Sequence, residues 1–376
     1  MNAPRSIPVQ RPLLPHADRL VPYLRRIDAT RTYSNWGPLA DELERRLEAH
    51  FDLPKSGVIS AASGTSALVG AVLGTAGRAG LERPLALIPA YTFVATALAV
   101  EQCGYRPHVV DVDPHTWLLD VAGLHKRSRL DRVGLVVPVA PFGRPVLQDP
   151  WVAFRRATGI PVAIDGGASF EGASDEPGRF LGEIPTALSF HATKSFATGE
   201  GGCIATTDTS AAKRMTQALN FGFYEARDCQ WPSTNGKMSE YHAAVGLAEL
   251  DGWTEKRAAL RSVAENYRAR LGMAGLGDRF FGVPDVAGCY ALFRSADAAE
   301  AARVQQSLDR SHVEYRHWYG KGLLSQAYFS DLEHDALDVT REIAPLIIGL
   351  PVAPDLPNES IDAVVSALRA GVAAQH

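Results

Sequence analysis

The most informative segment of this chain is Ser189-Phe190-His191-Ala192-Thr193-Lys194, and the glycine-rich run Gly199-Glu200-Gly201-Gly202 follows it closely. Upstream, the apolar segment Ile160-Pro161-Val162-Ala163-Ile164 ends in Asp165. Each segment predicts a buried strand that presents one reactive side chain where the strand ends. The Lys194 amine can form a Schiff base with an aldehyde, and the Asp165 carboxylate can keep a pyridine nitrogen protonated. This pairing predicts a protein that holds pyridoxal phosphate (PLP).

Short apolar segments that read as strands alternate with helix-like stretches between residues 57 and 207. The seven predicted strands are 57–62, 84–90, 107–112, 133–140, 160–165, 186–192 and 202–207, and helices are predicted, for example, at 66–75, 95–103 and 150–158. This alternation predicts an α/β fold with a mostly parallel seven-stranded sheet, flanked by helices. Ligands of such sheets bind at the carboxyl ends of the strands, which is where Lys194 and Asp165 fall.

The remainder of the chain predicts two further regions. Residues 1–30 are rich in proline and arginine without clear periodicity, which predicts an extended N-terminal arm. A helix is predicted from Pro38, within a large PLP-binding domain over 31–250. The pattern changes after Thr207, with a mainly helical stretch at 238–271 and a mixed one from about 285. We therefore expect a smaller C-terminal α+β domain over 251–376.

The overall composition is that of an ordinary globular protein. The 376 residues are 46% hydrophobic and 21% charged, and the net charge of −4 gives no reason to expect nucleic acid or an anionic membrane as a partner. The four cysteines (Cys103, Cys203, Cys229 and Cys289) lack the spacing of a disulfide framework. The sequence also has no export signal and no apolar run of membrane-spanning length. We therefore expect a cytoplasmic protein.

A phosphate cradle is predicted at Ser63-Gly64-Thr65, directly after an apolar strand. Small hydroxyl residues and a glycine at a strand-to-helix turn expose backbone N–H groups at a helix N-terminus, which attracts anions. An ordinary helix cap by Ser63 or Thr65 is the commoner alternative for this motif alone. Phe93, in Pro89-Ala90-Tyr91-Thr92-Phe93, ends the next strand and can stack on a planar ring or simply fill the core.

Asp165 and Lys194 also have simpler interpretations. The carboxylate can cap a helix or pair with an arginine, and the lysine can lie on the surface after its strand. Two observations argue against these simpler interpretations. Both residues have apolar surroundings, and the Gly166-Gly167 pair lets a flat ring approach the backbone. The chain contains no GxxxxGK[ST], HExxH or GxSxG motif, and its histidines lack metal-ligand spacing.

Taken together, the order of these motifs resembles the PLP-dependent nucleotide-sugar aminotransferases of the DegT/DnrJ/StrS type. The matching elements are SGT at 63–65, PAYTF at 89–93, Asp165, SFHATK at 189–194 with GEGG at 199–202, and NGKMSE at 235–240 followed by Ala243-Ala244 and Gly246-Leu247. The similarity runs from Asn35 to about Pro351, roughly nine-tenths of the chain. It implies the fold type I architecture of aspartate aminotransferase.

The resemblance also implies a role for each matching residue. Lys194 corresponds to the lysine that binds the cofactor covalently and then moves a proton, Asp165 to the carboxylate on the pyridine nitrogen, and Phe93 to the stacked ring. The positions that correspond to phosphate ligands are Gly64, Thr65 and Ser189. Asn235 corresponds to an asparagine that reaches the cofactor phosphate of a neighbouring subunit, which implies a homodimer with shared sites.

The activity that the resemblance implies is transfer of an amino group from L-glutamate to a 3- or 4-keto sugar carried on a nucleotide. Amination of a cyclitol ketone and a non-catalytic PLP-binding regulator are the alternatives. Sugar 3-dehydratases among the relatives carry histidine in place of the lysine, so Lys194 argues against that chemistry.

Two positions depart from the family pattern. Ala168 stands where Gln or His usually lies near the cofactor's ring oxygen, and Ala140 replaces a common His. His191 or Ser169 are candidates to supply the missing hydrogen bond. The substrate pocket is expected to involve residues 221–227, the loop to Asn235, and His317, Trp318 and Tyr319.

Overall fold

The structure is a computed structural model that describes residues 6–127 and 130–374. Its helices are α1 (Ala17–Thr30), α2 (Pro38–His50), α3 (Gly64–Ala76), α4 (Val94–Gln102), α5 (Val121–His125), α6 (Gln148–Thr158), α7 (Phe170–Asp175), α8 (Pro177–Phe180), α9 (Thr209–Leu219), α10 (Glu240–Asp251), α11 (Trp253–Met273), α12 (Ala298–Arg310), α13 (Asp338–Ile343) and α14 (Asn358–Ala373). Its strands are β1 (Val58–Ala61), β2 (Leu85–Pro89), β3 (Arg106–Val110), β4 (Val133–Val136), β5 (Ile164–Asp165), β6 (Thr186–Ser189), β7 (Gly202–Ala205), β8 (Phe280–Phe281), β9 (Leu292–Arg294), β10 (Glu333–His334) and β11 (Ile347–Gly349).

All seven strands predicted between residues 57 and 207 are present and lie side by side. Hydrogen bonds connect β10-β3-β2-β4 on one side and β5-β6-β7-β1 on the other. Isolated bridges from Val136 to Val162 and from Val139 to Asp165 join the two halves. Within this sheet β7 alone runs antiparallel to its neighbours β1 and β6. The prediction of a mostly parallel seven-stranded sheet is confirmed, with β10 added at its edge.

The strand β5 is shorter than predicted for a backbone reason. Residues 160–165 were expected to form one strand, but only Ile164–Asp165 pairs continuously with β6. Pro161 has no N–H to donate, so the residues before Ile164 make only an isolated bridge through Val162. Asp165 nevertheless ends the strand, as the sequence indicates.

Apolar sequence runs form the layers around this sheet. Every residue of β2 is buried, as expected of a strand that is covered on both faces. Helix α3 is apolar on nearly all sides because it packs against β6 and β7 and also against α4 and α9. Two helix ends carry the residue type that is favoured there. Pro38 occupies the first position of α2, and Gly159 adopts a left-handed conformation directly after α6.

The C-terminal part builds a second, smaller core. Strands β8, β9 and β11 form an antiparallel sheet in the order β11-β9-β8. Side chains of α11, α12 and α14 pack together with this sheet, including Tyr267, Val304 and Leu368. The mainly helical stretch predicted at 238–271 corresponds to α10 and α11. The mixed stretch predicted from about 285 contains the helices α12 and α14. The domain limits at 30 and 250 themselves stay a prediction.

The N-terminal region differs from the expected extended arm, because residues 17–30 form helix α1. Leu20, Tyr23, Leu24 and Ile27 follow a helical spacing, with Ile27 buried and Tyr23 and Leu24 packed on the core next to α10. Pro22 lies inside this helix. Because proline usually interrupts helices, its presence argues against a helix when only the sequence is considered.

Within the described residues, no helix has both the length and the apolar character needed to cross a membrane. The four cysteines are free, with Cys103, Cys203 and Cys289 buried and Cys229 exposed.

Candidate active site

The predicted functional residues follow the carboxyl ends of the parallel strands. Strand β1 leads to Ser63, β2 leads to Phe93, β5 ends at Asp165 and β6 ends at Ser189. Because parallel strands end at the same edge of a sheet, these side chains meet above it. Lys194 lies five residues beyond Ser189, inside the loop that a bridge between His191 and Gly199 closes.

A cleft of about 440 Å³ opens at this edge of the sheet. Residues of the large sheet and residues of the C-terminal part both line this cleft. The lining residues are Gln10, Ser63, Gly64, Thr65, Leu68, Thr92, Phe93, Ala95, Val139, Ala140, Asp165, Gly167, Ala168, Ser189, His191, Thr193, Lys194, Glu200, Tyr290, Arg316, Trp318 and Tyr319. Six of the seven predicted site residues therefore lie in one cleft, and their individual roles stay predictions.

One end of the cleft is the N-terminus of α3. Ser63 caps this helix, its hydroxyl accepting a hydrogen bond from the Ser66 N–H at 3.0 Å, so the commoner capping interpretation holds for this residue. Gly64 lies so close to Ser189 that an added Cβ would be 2.5 Å from the Ser189 Cβ. The N-terminus of α3 and two hydroxyl-bearing residues, Thr65 and Ser189, thus line the same end of the cleft, where the helix dipole favours an anion.

Asp165 occupies the floor of the cleft. Its Oδ2 accepts a hydrogen bond from the Thr96 hydroxyl at 2.6 Å and its Oδ1 accepts one from the Gly167 N–H at 3.1 Å. Thr92 and Thr96 are hydrogen-bonded to each other at 2.8 Å. Burial raises the pKa of Asp165, while the two hydrogen bonds and the positive charge of Lys194 act in the opposite direction. A cation placed above this carboxylate would therefore be strongly favoured.

Lys194 reaches into the same cleft. Its Nζ donates a hydrogen bond to the Tyr290 hydroxyl at 3.1 Å. Tyr290 comes from the segment before β9, so the second core of the chain contacts the amine directly. The arrangement presents an amine that can react with a carbonyl carbon, held next to a phenol and near a carboxylate.

Aromatic side chains form much of the remaining wall. Phe93 is 56% exposed, which leaves its ring open to the cleft and argues against the core interpretation. Trp318 and Tyr319 also line the cleft, as the sequence predicts, whereas His317 is not among the lining residues of the described chain. The Tyr319 hydroxyl accepts a hydrogen bond from the Phe142 N–H at 2.9 Å. A flat ring between Phe93 and the cleft floor fits this shape.

The structure does not bring Asn235 into this cleft. Its side chain is exposed and accepts a hydrogen bond from Lys237 Nζ at 2.7 Å. Residues 221–227 also lie outside the cleft lining of the described chain. The predicted contribution of Asn235 requires a second copy of the chain, so it stays a prediction.

Ala140 and Ala168, the two residues that depart from the family pattern, line the cleft and present only methyl groups there. Of the two residues suggested as replacements, His191 lines the cleft, with its Nδ1 within 2.9 Å of the Thr193 hydroxyl. Ser169 is buried away from the cleft, and its hydroxyl has no partner among the described residues. His191 is therefore the better candidate of the two.

Sequence reasoning missed several polar groups of the cleft. Thr96, one turn after Thr92 in α4, was detectable from this four-residue spacing beside the strand end. Tyr290, Gln10 and Arg316 carry no local motif, and only the folded chain brings them to Lys194.

The residues present fit PLP. The α3 N-terminus with Thr65 and Ser189 matches its phosphate, the Asp165 carboxylate matches a protonated pyridine nitrogen, and the exposed Phe93 ring matches its flat face. Lys194 supplies the amine for its aldehyde.

Comparisons with known proteins agree with this geometry. The chain is 26% identical to dTDP-4-amino-4,6-dideoxy-D-glucose transaminase of Shigella dysenteriae, over 97% of this chain and 99% of that protein. It is 32% identical to UDP-2-acetamido-2-deoxy-3-oxo-D-glucuronate aminotransferase of Pseudomonas aeruginosa, over 88% of this chain and 90% of that protein.

Solved structures show the same fold. A crystal structure of a proposed PLP-dependent aminotransferase from Bacillus cereus superposes with a TM-score of 0.88 at 27% identity, covering 97% of this chain and all of the other. DesI, solved in the presence of its TDP-sugar product, gives a TM-score of 0.86 at 26% identity, covering 99% of this chain and 94% of the other. The expectation of a fold type I architecture is confirmed.

The sequence profile of one family matches residues 16–369, nearly the whole chain. This protein belongs to the DegT/DnrJ/EryC1/StrS aminotransferase family.

Proposed function

We propose that this aminotransferase uses PLP to move an amino group from L-glutamate to a 3- or 4-keto sugar carried on a nucleotide. The observation that carries the proposal is the single cleft in which Lys194, Asp165 and the N-terminus of α3 meet. Each of these three groups matches a different part of the cofactor.

Three parts of the cleft are assigned to the cofactor: one to its phosphate, one to its pyridine nitrogen and one to a face of its ring. The N–H groups at the start of α3, with the hydroxyls of Thr65 and Ser189, hold the phosphate. Asp165 holds a proton on the pyridine nitrogen, because a buried carboxylate is stabilised by a cation placed next to it. Phe93 covers one face of the ring. When bound, the pyridine ring draws electrons away from the carbon that carries the amino group.

The proton transfers are assigned to Lys194. Once its Nζ is released by the incoming amino donor, the amine stays in the cleft beside Tyr290. From there Nζ takes a proton from the donor carbon and returns it to a neighbouring carbon. In the second half of the cycle the same nitrogen moves the proton in the opposite direction.

The names of two relatives support a nucleotide-linked sugar as the substrate. The Shigella dysenteriae protein is named for a dTDP-linked 4-amino sugar and the Pseudomonas aeruginosa protein for a UDP-linked 3-oxo sugar acid. Trp318, Tyr319 and Arg316 line the wall of the cleft formed by the C-terminal part. These side chains offer stacking surfaces and one positive charge, which suit a sugar nucleotide.

Two measurements test the proposal. Purified protein loaded with PLP is mixed with L-glutamate, and the cofactor absorbance is expected to shift from the aldehyde-derived band to that of pyridoxamine phosphate. The aminated protein is then offered a panel of nucleotide-linked 3- and 4-keto sugars and inososes, and amino products are identified by mass spectrometry. We expect product with at least one nucleotide-linked sugar.

The site is tested separately by reduction with borohydride and peptide mapping. The reduced cofactor is expected on Lys194. A cofactor adduct on another lysine, or a protein that binds PLP but never responds to any amino donor, contradicts the proposed function. Amination of inososes alone would replace the sugar nucleotide with a cyclitol.

A further inference from the structure

We propose that Tyr290 is a further residue of the reaction centre, whose phenol holds the free amine of Lys194 in place. The two side chains are 96 positions apart in the sequence, yet Lys194 Nζ lies 3.1 Å from the Tyr290 hydroxyl. The inference rests on the proposed function for its meaning in catalysis, but the contact itself can be tested without turnover.

The ring of Tyr290 is fixed on several sides. It is 7% exposed and packs edge-to-face against Phe142, at 5.2 Å between ring centroids, and against Trp318, at 5.6 Å. A side chain enclosed in this way has few alternative rotamers, so its hydroxyl is aimed at one place. That place is the amine of Lys194.

A buried carboxylate connects the segments that carry the two residues. Glu171 Oε2 accepts hydrogen bonds from the Gly288 N–H at 2.6 Å and from the Ser195 hydroxyl at 3.2 Å. The Ser195 hydroxyl in turn accepts one from the Cys289 N–H at 3.1 Å. Ser195 follows Lys194 directly, and Gly288 and Cys289 directly precede Tyr290. Glu171 and Ser195 are therefore positioning residues, which fix the amine and the phenol relative to each other.

The phenol stays protonated in these surroundings. Burial raises the pKa of Tyr290 well above its usual value, and the nearby Asp165 and Cys289 act in the same direction. Tyr290 therefore contributes a neutral oxygen that accepts a hydrogen bond rather than a second base. The other titratable or charged groups that face Lys194 are Asp165, Cys289, Tyr319, His191, Glu200, Arg316 and, on the opposite side, Lys256.

The consequence for the reaction concerns the interval when Lys194 carries no covalent partner. As a neutral amine, its Nζ then has two N–H bonds and one lone pair, on a flexible four-carbon chain. A hydrogen bond to Tyr290 keeps the nitrogen at the floor of the cleft while it accepts a proton and gives it back. The phenol itself neither gains nor loses a proton in either step.

The test compares Tyr290→Phe with the wild-type chain, both at full length and stripped of cofactor. Acetic anhydride is used in trace amounts at pH 7.5, and acetylation of each lysine is followed by peptide mass spectrometry. Loss of the acceptor releases the amine from its fixed position in the cleft, so we expect Lys194 to react roughly tenfold faster, the change that accompanies loss of one hydrogen bond of this kind. The exposed Lys55 provides the reference rate in the same sample.

Tyr319→Phe is the matched control. Tyr319 also lines the cleft and is partly buried, but its hydroxyl accepts a hydrogen bond from the Phe142 N–H. Removal of this hydroxyl is expected to leave Lys194 acetylation within about twofold of the wild-type rate, because an unchanged contact should give an unchanged rate. An equal acceleration in both variants would mean a general loosening of the cleft and would overturn the assignment.

A second arm uses PLP-loaded protein and the substrates found in the panel screen. For Tyr290→Phe we expect kcat to fall roughly tenfold while KM changes less than about threefold, since the residue acts on the reacting nitrogen and not on substrate binding. Unchanged acetylation of Lys194 overturns the inference even in an active aminotransferase. Accelerated acetylation in a protein that transfers no amino group supports the contact and contradicts only the proposed function.

Discussion

Under the proposed function, Asp165 is unfavourable in the empty protein and necessary in the loaded one. Among the described residues its carboxylate accepts two hydrogen bonds, from Thr96 and Gly167, and burial raises its pKa. A cation next to the Asp165 carboxylate offsets the free-energy cost of burying its negative charge. The same group thus links the stability of the fold to occupancy of the cleft.

The first prediction concerns turnover. Asp165→Asn is expected to retain the cofactor but to lose at least ~10²-fold in rate, because a neutral amide cannot hold the positive charge on the pyridine nitrogen. Steady-state kinetics measures the loss, and Asp331→Asn, at an exposed position, serves as the control. Near-normal turnover would remove Asp165 from its proposed role.

The second prediction concerns the pH dependence of stability without cofactor. Because the folded pKa of Asp165 is raised above its ordinary value, its contribution to stability is full below that ordinary value and is lost as the pH rises through the folded one. The free energy of unfolding of Asp165→Asn minus that of wild type should therefore become more positive as the pH rises above the ordinary Asp pKa of 3.8. Urea titrations of stripped protein measure this difference. A difference that does not change with pH would contradict the argument.

The third prediction concerns Lys194. Lys194→Ala should fold and bind PLP non-covalently, since the phosphate cradle and Asp165 are unchanged, but it should give no multiple turnover. Absorbance spectra and a turnover assay test both statements, with Lys55→Ala as a surface control. Wild-type turnover in the Lys194 variant would end the proposed mechanism.

Among the elements, the close packing of α3 on β6 builds the proposed phosphate cradle. The N-terminus of α3 approaches Ser189 at the end of β6 because Gly64 has no side chain. Seven short apolar runs were sufficient to predict the strands, since a strand covered on both faces is apolar throughout. The distance between α3 and β6 could not be predicted, because it depends on packing across the sheet.

This packing gives the fourth prediction. In Gly64→Ala the new Cβ would clash with Ser189, so we expect the free energy of unfolding to fall by about 1–3 kcal/mol and PLP affinity to fall roughly tenfold. Denaturant titration and fluorescence titration with PLP measure the two effects. Gly80→Ala, where an added Cβ meets nothing within 4 Å, should change stability by less than about 0.5 kcal/mol. Equal effects of both substitutions would contradict the cradle.

At the scale of the molecule, the cleft combines parts that are distant in the sequence. Lys194 and Asp165 could be identified from the sequence because each ends or follows an apolar strand. Tyr290 and Arg316 could not, because they reach the cleft only through the docking of the C-terminal part on the large sheet. The helix at 17–30 was missed for a local reason, the proline at position 22.

The fifth prediction concerns a homodimer with shared sites. If Asn235 serves the cofactor site of a neighbouring copy, a Lys194→Ala chain and an Asn235→Ala chain should complement each other when refolded together. Random pairing makes half of the dimers mixed, with one complete site in each, so activity should recover to roughly a quarter of the wild-type value. Activity measurements on the mixture and on each variant alone provide the test. Recovery no greater than the sum of the two variants would show that Asn235 does not act across the interface.

The strand β10 has a practical consequence for anyone who divides this chain. Glu333 and His334 pair with His108 and Val109, and Asp335 is hydrogen-bonded to His108 and ion-paired with Arg127. A fragment cut after α12 would leave the outer backbone of β3 with open donors and acceptors, which invite other chains to add strands. Such a fragment should precipitate, and a better excised core would keep this small ribbon through a redesigned linker.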